Sequence, residues 1–131
     1  MATFEESTNS KKELPLVPNH MANAGVEIYL PYNLTLRPEI RHVSDAFLSG
    51  DNDNNTEKLD AYTLINFYIH YKPSFGKLGL TAFLGVDNVA DVKYSSFGID
   101  YEQYNYPGVS YSNFYYPMPG RTFKGGIAFE F

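Results

Sequence analysis

Apolar residues alternate with polar or small residues along the end of the chain. One side of this alternation carries Phe123, Gly125, Ile127, Phe129 and Phe131, and the other carries Thr122, Lys124, Gly126, Ala128 and Glu130. A repeat of two residues is that of a β-strand, whose side chains point to opposite faces in turn. The pattern therefore predicts a terminal strand with one apolar face, which we expect something other than this chain to cover.

Four earlier segments, residues 20–30, 34–48, 61–72 and 78–87, show the same alternation. Together with the terminal segment they predict five amphipathic strands. The second segment contains Pro38. Because proline has no amide proton for the ladder, we expect a local bulge there.

The connections between these segments alternate in length. Short turns are predicted at residues 31–33 and 73–77, whereas longer loops are predicted at residues 7–13, 49–60 and 95–114. Outer-membrane barrels have short turns on one side and long loops on the other. The predicted fold class is therefore all-β: an antiparallel up-and-down meander that forms the last strands of a large transmembrane β-barrel, with its apolar face toward lipid. A soluble β-rich binding module is the alternative, with the polar side as its solvent face.

Composition narrows the function classes. The chain has 131 residues, no cysteine and a formal net charge of −5, so clustered cations for nucleic-acid binding are missing. His20, His42 and His70 lie on separate predicted strands, and no spacing typical of a metal site, nucleophile–base pair or cofactor motif is present. We expect no enzyme, no catalytic residue, no metal site and no cofactor. The oxygen-rich run 50–55 leaves a calcium loop open as the alternative to a hydrated surface loop.

Three motifs resemble the C-terminal part of TonB-dependent outer-membrane receptors. The first is the ending, in which the aromatic-rich residues 101–116 precede Pro-Gly-Arg-Thr-Phe at 119–123 and a strand that closes on Phe131. The second, Asp-Asn-Val-Ala-Asp-Val-Lys-Tyr at 87–94, is similar to the Asn-Leu-Phe-Asp-x-x-Tyr pattern of the family. The third is the Pro-x-x-Pro-x-His entry at 15–20. The resemblance covers nearly the whole chain.

The resemblance implies that residues 1–131 are a C-terminal fragment of a receptor barrel, with about five strands and an N-terminal stub, and that the plug domain is absent. It implies an outer-membrane location in a Gram-negative bacterium. The implied partners are outer-membrane lipid, the barrel-assembly machinery, the rest of the barrel and plug, and TonB through the missing N-terminal part. Phe129 and Phe131 would form the C-terminal assembly signal, and Arg121 would have a structural role at the mouth of the last strand.

The implied function is active import of a scarce solute of the siderophore, haem, cobalamin or glycan class, with energy relayed by TonB. A passive porin-like or adhesin barrel segment is the alternative from another class, and the presence of an upstream plug would discriminate between the two.

Two sets of residues are candidates for contact with a solute. The first set would line a wet barrel lumen: Arg37, Glu39, Arg41 and Asp45. The second set would form a ligand-contacting surface loop: Tyr101, Tyr104, Tyr106 and Tyr111, with Tyr115 and Tyr116 following them. Phenol groups combine rigid apolar area with a hydrogen-bond donor, which suits binding, but tyrosines also form the aromatic belts at membrane boundaries. The matching belt near the short turns would consist of Tyr29, Tyr32, Tyr71 and Phe75.

Overall fold

The computed structural model describes residues 12–75, 78–105 and 107–130, and its regular structure is almost entirely β. The strands are β1 Met21–Gly25, β2 Ile28–Leu30, β3 Leu34–Val43, β4 Ala46–Phe47, β5 Lys58–Leu59, β6 Tyr62–Tyr71, β7 Ser74–Phe75, β8 Leu78–Asp87, β9 Ser95–Asn105, β10 Gly108–Pro117 and β11 Thr122–Glu130. A short 3-10 turn covers Pro31–Asn33. Within the described ranges, no helix is long and apolar enough to cross a membrane.

The five predicted amphipathic strands form one sheet in the order β1-β3-β6-β8-β11. β2 continues the edge beside β3, and β7 continues the line of β6 beside β8. Each of the five strands pairs with the next of the five along the chain, and the separate pairs β4–β5 and β9–β10 lie in two of the connections. The sheets are antiparallel, so the predicted all-β meander is confirmed. The predicted N-terminal stub lies outside the described residues.

The pairing register confirms the predicted faces of the last three strands of this sheet. Val86 of β8 stands opposite Phe67 of β6 and opposite Phe123 of β11, so these three apolar residues share one face. Gly85 stands opposite Tyr68 and Lys124, which share the other face. Each strand thus contributes an apolar set to one side and a mostly polar set to the other.

Pro38 disturbs the neighbouring strand rather than its own. β3 runs through Pro38 without a break, whereas the strand beside it is interrupted at residues 26–27, between β1 and β2. The carbonyl of Pro38 still accepts a hydrogen bond from the Val26 N–H at 3.2 Å. Pro38 has no N–H to return, so the irregularity expected at Pro38 takes the form of this gap.

The short turns lie where the alternation predicted them. In the 3-10 turn, Tyr32 has φ 66° and Asn33 has φ 57°, left-handed values that reverse the chain within three residues. At the second turn, Ser74 pairs with Gly79 and Phe75 pairs with Leu78. The two residues at its tip, 76 and 77, lie outside the described residues.

The chain divides into two compact units. We call residues Ala22–Arg41, Thr63–Val92 and Pro119–Phe131 the sheet unit, because they contain most of the five-strand meander. We call residues Met1–Met21, His42–Tyr62 and Lys93–Met118 the loop unit.

The prediction of a structureless loop over residues 95–114 was wrong. β9 and β10 form an antiparallel hairpin from Ser95 to Pro117, paired from Phe97↔Tyr116 to Asn105↔Gly108. The predicted loop 49–60 also ends in a strand, because Lys58–Leu59 pairs with Ala46–Phe47. Tyrosine, phenylalanine, valine and isoleucine have high strand propensity, and in residues 97–116 they are dense enough to extend the chain.

The segments of the loop unit share a small apolar core. Its buried side chains are those of Val43, Ala46, Phe47, Leu48 and Leu59, and Leu48 is fully buried. Gly98 of β9 packs directly on this core, since a Cβ at that position would lie 2.6 Å from Leu48 Cδ2 and 3.3 Å from Leu59 Cδ2. The face of the hairpin that contains Gly98 therefore packs against the core.

Hydrogen bonds also connect the three segments of the loop unit. Ser49 bridges to β9, donating its N–H to the Gly98 carbonyl at 2.9 Å and accepting from the Asp100 N–H at 2.8 Å. Leu16 donates its N–H to the Phe47 carbonyl at 2.8 Å. The loop unit is therefore one packed body, where the sequence predicted separate loops.

Candidate ligand-facing surfaces

The polar face of the sheet unit carries a cluster of charges at β3. The Arg37 guanidinium contacts the Glu39 carboxylate at 2.7 Å and the Glu27 carboxylate at 4.0 Å. Tyr29 donates its phenol proton to Glu27 at 2.6 Å. Tyr29 therefore lies on the polar face, beside Glu27. These side chains are half-exposed, so the ion pairs stabilise the fold only slightly and leave the charges open to a solute.

An open groove of about 550 Å³ lies beside this cluster, within the sheet unit. Arg37, Glu39 and Arg41 all line it, together with Glu27 and Asn66. Three of the four predicted lumen residues thus share one concave surface with charges of both signs.

Asp45 lies elsewhere. β3 ends at Val43, and Asp45 belongs to the loop unit. There the Asp45 carboxylate forms an ion pair with the Lys58 ammonium at 2.8 Å. The hydrogen bond from Lys58 holds the pKa of Asp45 below its usual value. Asp45 is therefore occupied by a partner of its own unit.

A second polar group on the same face joins three neighbouring strands, a contact that the sequence did not predict. Lys124 of β11 contacts the Asp87 carboxylate of β8 at 2.9 Å, and its ammonium lies 4.6 Å from the ring centre of Tyr68 on β6. Tyr68 in turn donates a short hydrogen bond to Asp87. In the sequence, these residues were recognisable only as polar residues at alternate positions of their strands. They are far apart in the chain, and only strand pairing brings them together.

The opposite face of the sheet unit is apolar and open. Leu84, Phe123, Ile127 and Phe129 are all more than 60% exposed. Large apolar patches of this kind are rare on soluble monomers and typical of surfaces that face a membrane or another protein. Phe129, one half of the predicted assembly signal, belongs to this face, whereas Phe131 lies outside the described residues.

The motif at 87–94 forms a tight turn at the end of β8. Asn88 is buried, with φ 53°, and exchanges two hydrogen bonds of 2.9 Å with the backbone of Val92. Its N–H donates to the Asn66 side chain at 3.0 Å. Asp91 also has a left-handed φ, of 53°. A short amide side chain that can adopt this conformation and close the turn explains why asparagine occupies position 88.

Arg121 ties this turn to the start of β11. Its Nε donates to the Val89 carbonyl at 2.9 Å, and its own N–H donates to the Asp91 carboxylate at 2.8 Å. Two of the sequence motifs, at 87–94 and 119–123, are thus in direct contact. The geometry agrees with the structural role predicted for Arg121.

Replacing Arg121 with alanine is expected to destabilise the sheet unit by about 1–2 kcal/mol, because the Val89 carbonyl loses a charge-assisted hydrogen bond. Urea unfolding of the barrel in lipid vesicles measures the change. Arg41→Ala, which removes an arginine outside this turn, serves as the matched control. Equal stability of the Arg121 variant and the unchanged protein would contradict the assignment.

The β9–β10 hairpin presents an aromatic face on the side away from the core of the loop unit. In the register, Phe97 stands opposite Tyr116, Ile99 opposite Phe114, and Tyr101 opposite Ser112. The ring centres of Phe97 and Tyr116 are 5.4 Å apart, and the rings are tilted by 59°. We call the open surface lined by Ile99, Tyr101, Phe114, Tyr115 and Tyr116, about 600 Å³ in volume, the hairpin groove.

The structure places the four predicted ligand tyrosines unequally. Tyr101 lines the hairpin groove and is 57% exposed. Tyr104 lies on β9 opposite Val109, and Tyr111 lies on β10 opposite Glu102, in the backbone register. Tyr106 lies outside the described residues. Tyr115 and Tyr116, also named from the sequence, line the groove as well, whereas sequence reasoning missed Ile99 and Phe114, which alternation within residues 97–101 and 112–116 would have indicated.

The oxygen-rich loop at 50–57 is closed by Asp51. This buried carboxylate accepts hydrogen bonds from the Asn55 N–H at 2.9 Å, the Thr56 N–H at 3.0 Å and the Thr56 hydroxyl at 2.9 Å. Burial alone would raise the pKa of Asp51, but these donors outweigh it and hold the pKa below the usual value. Asp51 thus serves as the internal anchor of this loop. Among residues 12–75, 78–105 and 107–130, no group of three or more histidine or acidic side chains is arranged to hold a metal ion.

Comparison with known proteins gives one family. A sequence model described as TonB dependent receptor-like, beta-barrel, matches residues 2–89, about two thirds of the 131-residue chain. No curated protein matches the chain.

Proposed function

Because this chain belongs to the family of TonB-dependent receptor β-barrels, we propose that it forms the C-terminal part of a receptor barrel that imports a scarce solute with energy relayed by TonB. The family is one of transporters rather than enzymes, and membership implies a place in the outer membrane of a Gram-negative bacterium. The observation that carries the proposal is the family match over residues 2–89.

In this proposal residues 1–131 supply the last strands of the barrel, and a plug domain and the remaining strands lie upstream. The two faces of the sheet unit support that role. The apolar face, with Leu84 and Ile127 exposed, suits contact with lipid, whereas the Arg37–Glu39 pair on the other face suits a hydrated lumen. Both sheet edges, β1 and β11, then pair with other strands of the same barrel, because an unpaired edge invites association with foreign chains.

We further propose that the barrel-assembly machinery reads Phe129 and Phe131 during insertion. The exposed position of Phe129 on the apolar face supports this role, since a recognised side chain must be accessible before lipid covers it.

The solute contacts in this proposal come from two surfaces. Arg37, Glu39 and Arg41 line the inner wall of the passage, and the hairpin groove with Tyr101 captures the solute at the cell surface. The solute belongs to the siderophore, haem, cobalamin or glycan classes, all of which present polar groups around a rigid frame.

The test begins with the complete coding region around this chain. We expect an upstream signal peptide, plug domain and further amphipathic strands. The full protein, purified in detergent, is then titrated with the isolated periplasmic domain of TonB, and binding is measured by calorimetry. A complete protein without a plug, or one that does not bind the TonB domain, would favour the passive porin-like or adhesin barrel and overturn energy-coupled import.

A further inference from the structure

We propose that the hairpin groove binds the solute through a positively charged organic group, which rests on the aromatic rings of Tyr101, Phe114 and Tyr116. The inference rests on the proposed function and adds the charge of the group that is recognised. The groove belongs entirely to the loop unit.

The first argument is the chemistry of the groove. Tyr101, Phe114 and Tyr116 are each more than half exposed, at 57%, 57% and 54%. Exposed aromatic faces carry negative charge density above the ring and attract ammonium groups that lie over them. An open volume of about 600 Å³ is within the range of small-molecule sites.

The second argument is the distribution of charge between the units. The loop unit contains ten acidic residues, four lysines and no arginine, whereas the sheet unit contains five acidic residues and six lysines and arginines. Lys12 is paired with Asp53, and Lys58 is paired with Asp45. The field at the loop unit is therefore negative, which attracts cations and repels anions.

The third argument is that carboxylates also lie behind the groove. Tyr115 stands opposite Gly98 and so points to the core side of the hairpin, where its phenol donates a hydrogen bond to Glu57 at 3.3 Å. Burial raises the pKa of the Tyr115 phenol, and the negative charges of Glu57 and Asp60 raise it further. Negative charge therefore lies behind the face that carries the rings, and an anionic or neutral apolar occupant would lack this part of the complementarity.

Matched probes test the charge directly. Choline and 3,3-dimethylbutan-1-ol have nearly the same shape, and only choline carries a positive charge. The complete receptor in detergent micelles is titrated with each probe, and binding is followed by saturation-transfer NMR. We expect choline to bind about three- to tenfold more tightly than the neutral alcohol, as one cation–π contact predicts. We also expect this preference to shrink in high salt, because salt screens exposed charges.

Variants assign the effect to the groove. Tyr101→Leu and Tyr116→Leu keep apolar bulk but remove a ring, so each is expected to abolish the preference for choline, whereas Tyr101→Phe keeps it. Glu57→Gln is expected to weaken choline binding two- to threefold. Tyr32→Leu, at an exposed tyrosine of the sheet unit, is the control and leaves binding unchanged.

Equal affinity for the two probes, or binding of neither, would overturn the proposal, as would a preference for choline that survives in both leucine variants. These outcomes are separable from the proposed function, since binding of the TonB domain is measured without any solute. If the receptor binds TonB but has equal affinity for the two probes, the proposed transport function stands. Only the proposal that the solute is bound through a positively charged group is then overturned.

Discussion

Leu48→Ala is expected to destabilise the loop unit by about 2–5 kcal/mol, the usual cost of a cavity left by a buried leucine. Leu48 is fully buried and contacts the β9 backbone at Gly98. Because residues 42–62 pack on Gly98 and hydrogen-bond both to Leu16 and to β9, we expect amide hydrogen exchange to accelerate together in residues 12–21, 42–62 and 93–118. Mass-spectrometric hydrogen exchange on the complete receptor measures each segment separately.

Two further variants sharpen this experiment. Gly98→Ala adds a methyl group 2.6 Å from Leu48 Cδ2 and 3.1 Å from the Phe114 carbonyl oxygen, so overpacking should loosen the same three segments at a cost of about 1–3 kcal/mol. Val17→Ala, at an exposed apolar residue of the same unit, is the control and should change little. Faster exchange confined to residues 42–62 would show that the three segments open independently.

Asn88→Ala is expected to lower the free energy of unfolding of the sheet unit by about 2–4 kcal/mol. The change removes both hydrogen bonds between the Asn88 side chain and the Val92 backbone. It also places alanine, which has a Cβ but no polar side chain, at a left-handed φ of 53°. Urea unfolding in lipid vesicles measures the loss.

Asn88→Gly separates the two causes. Glycine adopts the left-handed conformation freely, so this variant loses the hydrogen bonds but carries no backbone strain. We expect it to be about 1 kcal/mol more stable than the alanine variant. If both variants matched the unchanged protein, the turn at residues 88–92 would not depend on the Asn88 side chain.

The strands of the sheet unit were predictable because their signal is local. Alternation in residues 78–87 and 122–130 placed Val86 and Phe123 on one face and Asp87 and Lys124 on the other, and the register confirmed it. Side chains of a strand must alternate whatever surrounds it, so period and polarity are sufficient for this prediction.

The structure of residues 95–114 was not predicted, because turn-like and polar residues among the tyrosines were taken as signs of a loop. Asn105, Pro107 and Gly108 stand near the tip, and the flanking aromatic residues pair as β9 and β10. Tyrosine serves equally well in a loop, in a belt at the membrane boundary and in a strand. Only the pairing partner decides which of these applies.

The sequence by itself determined the amphipathic strands, the short turns, the family and the motifs at 87–94 and 119–123. Each of these depends on neighbours within a few residues along the chain. Tertiary structure alone decided that Arg121 closes the Asn88 turn, that Lys124 meets Tyr68 and Asp87, and that Leu48 packs against Gly98 to join two segments of the loop unit. These contacts join residues 30 to 56 positions apart, and which distant pairs meet depends on strand register and on the shape of the buried core, which no local pattern encodes.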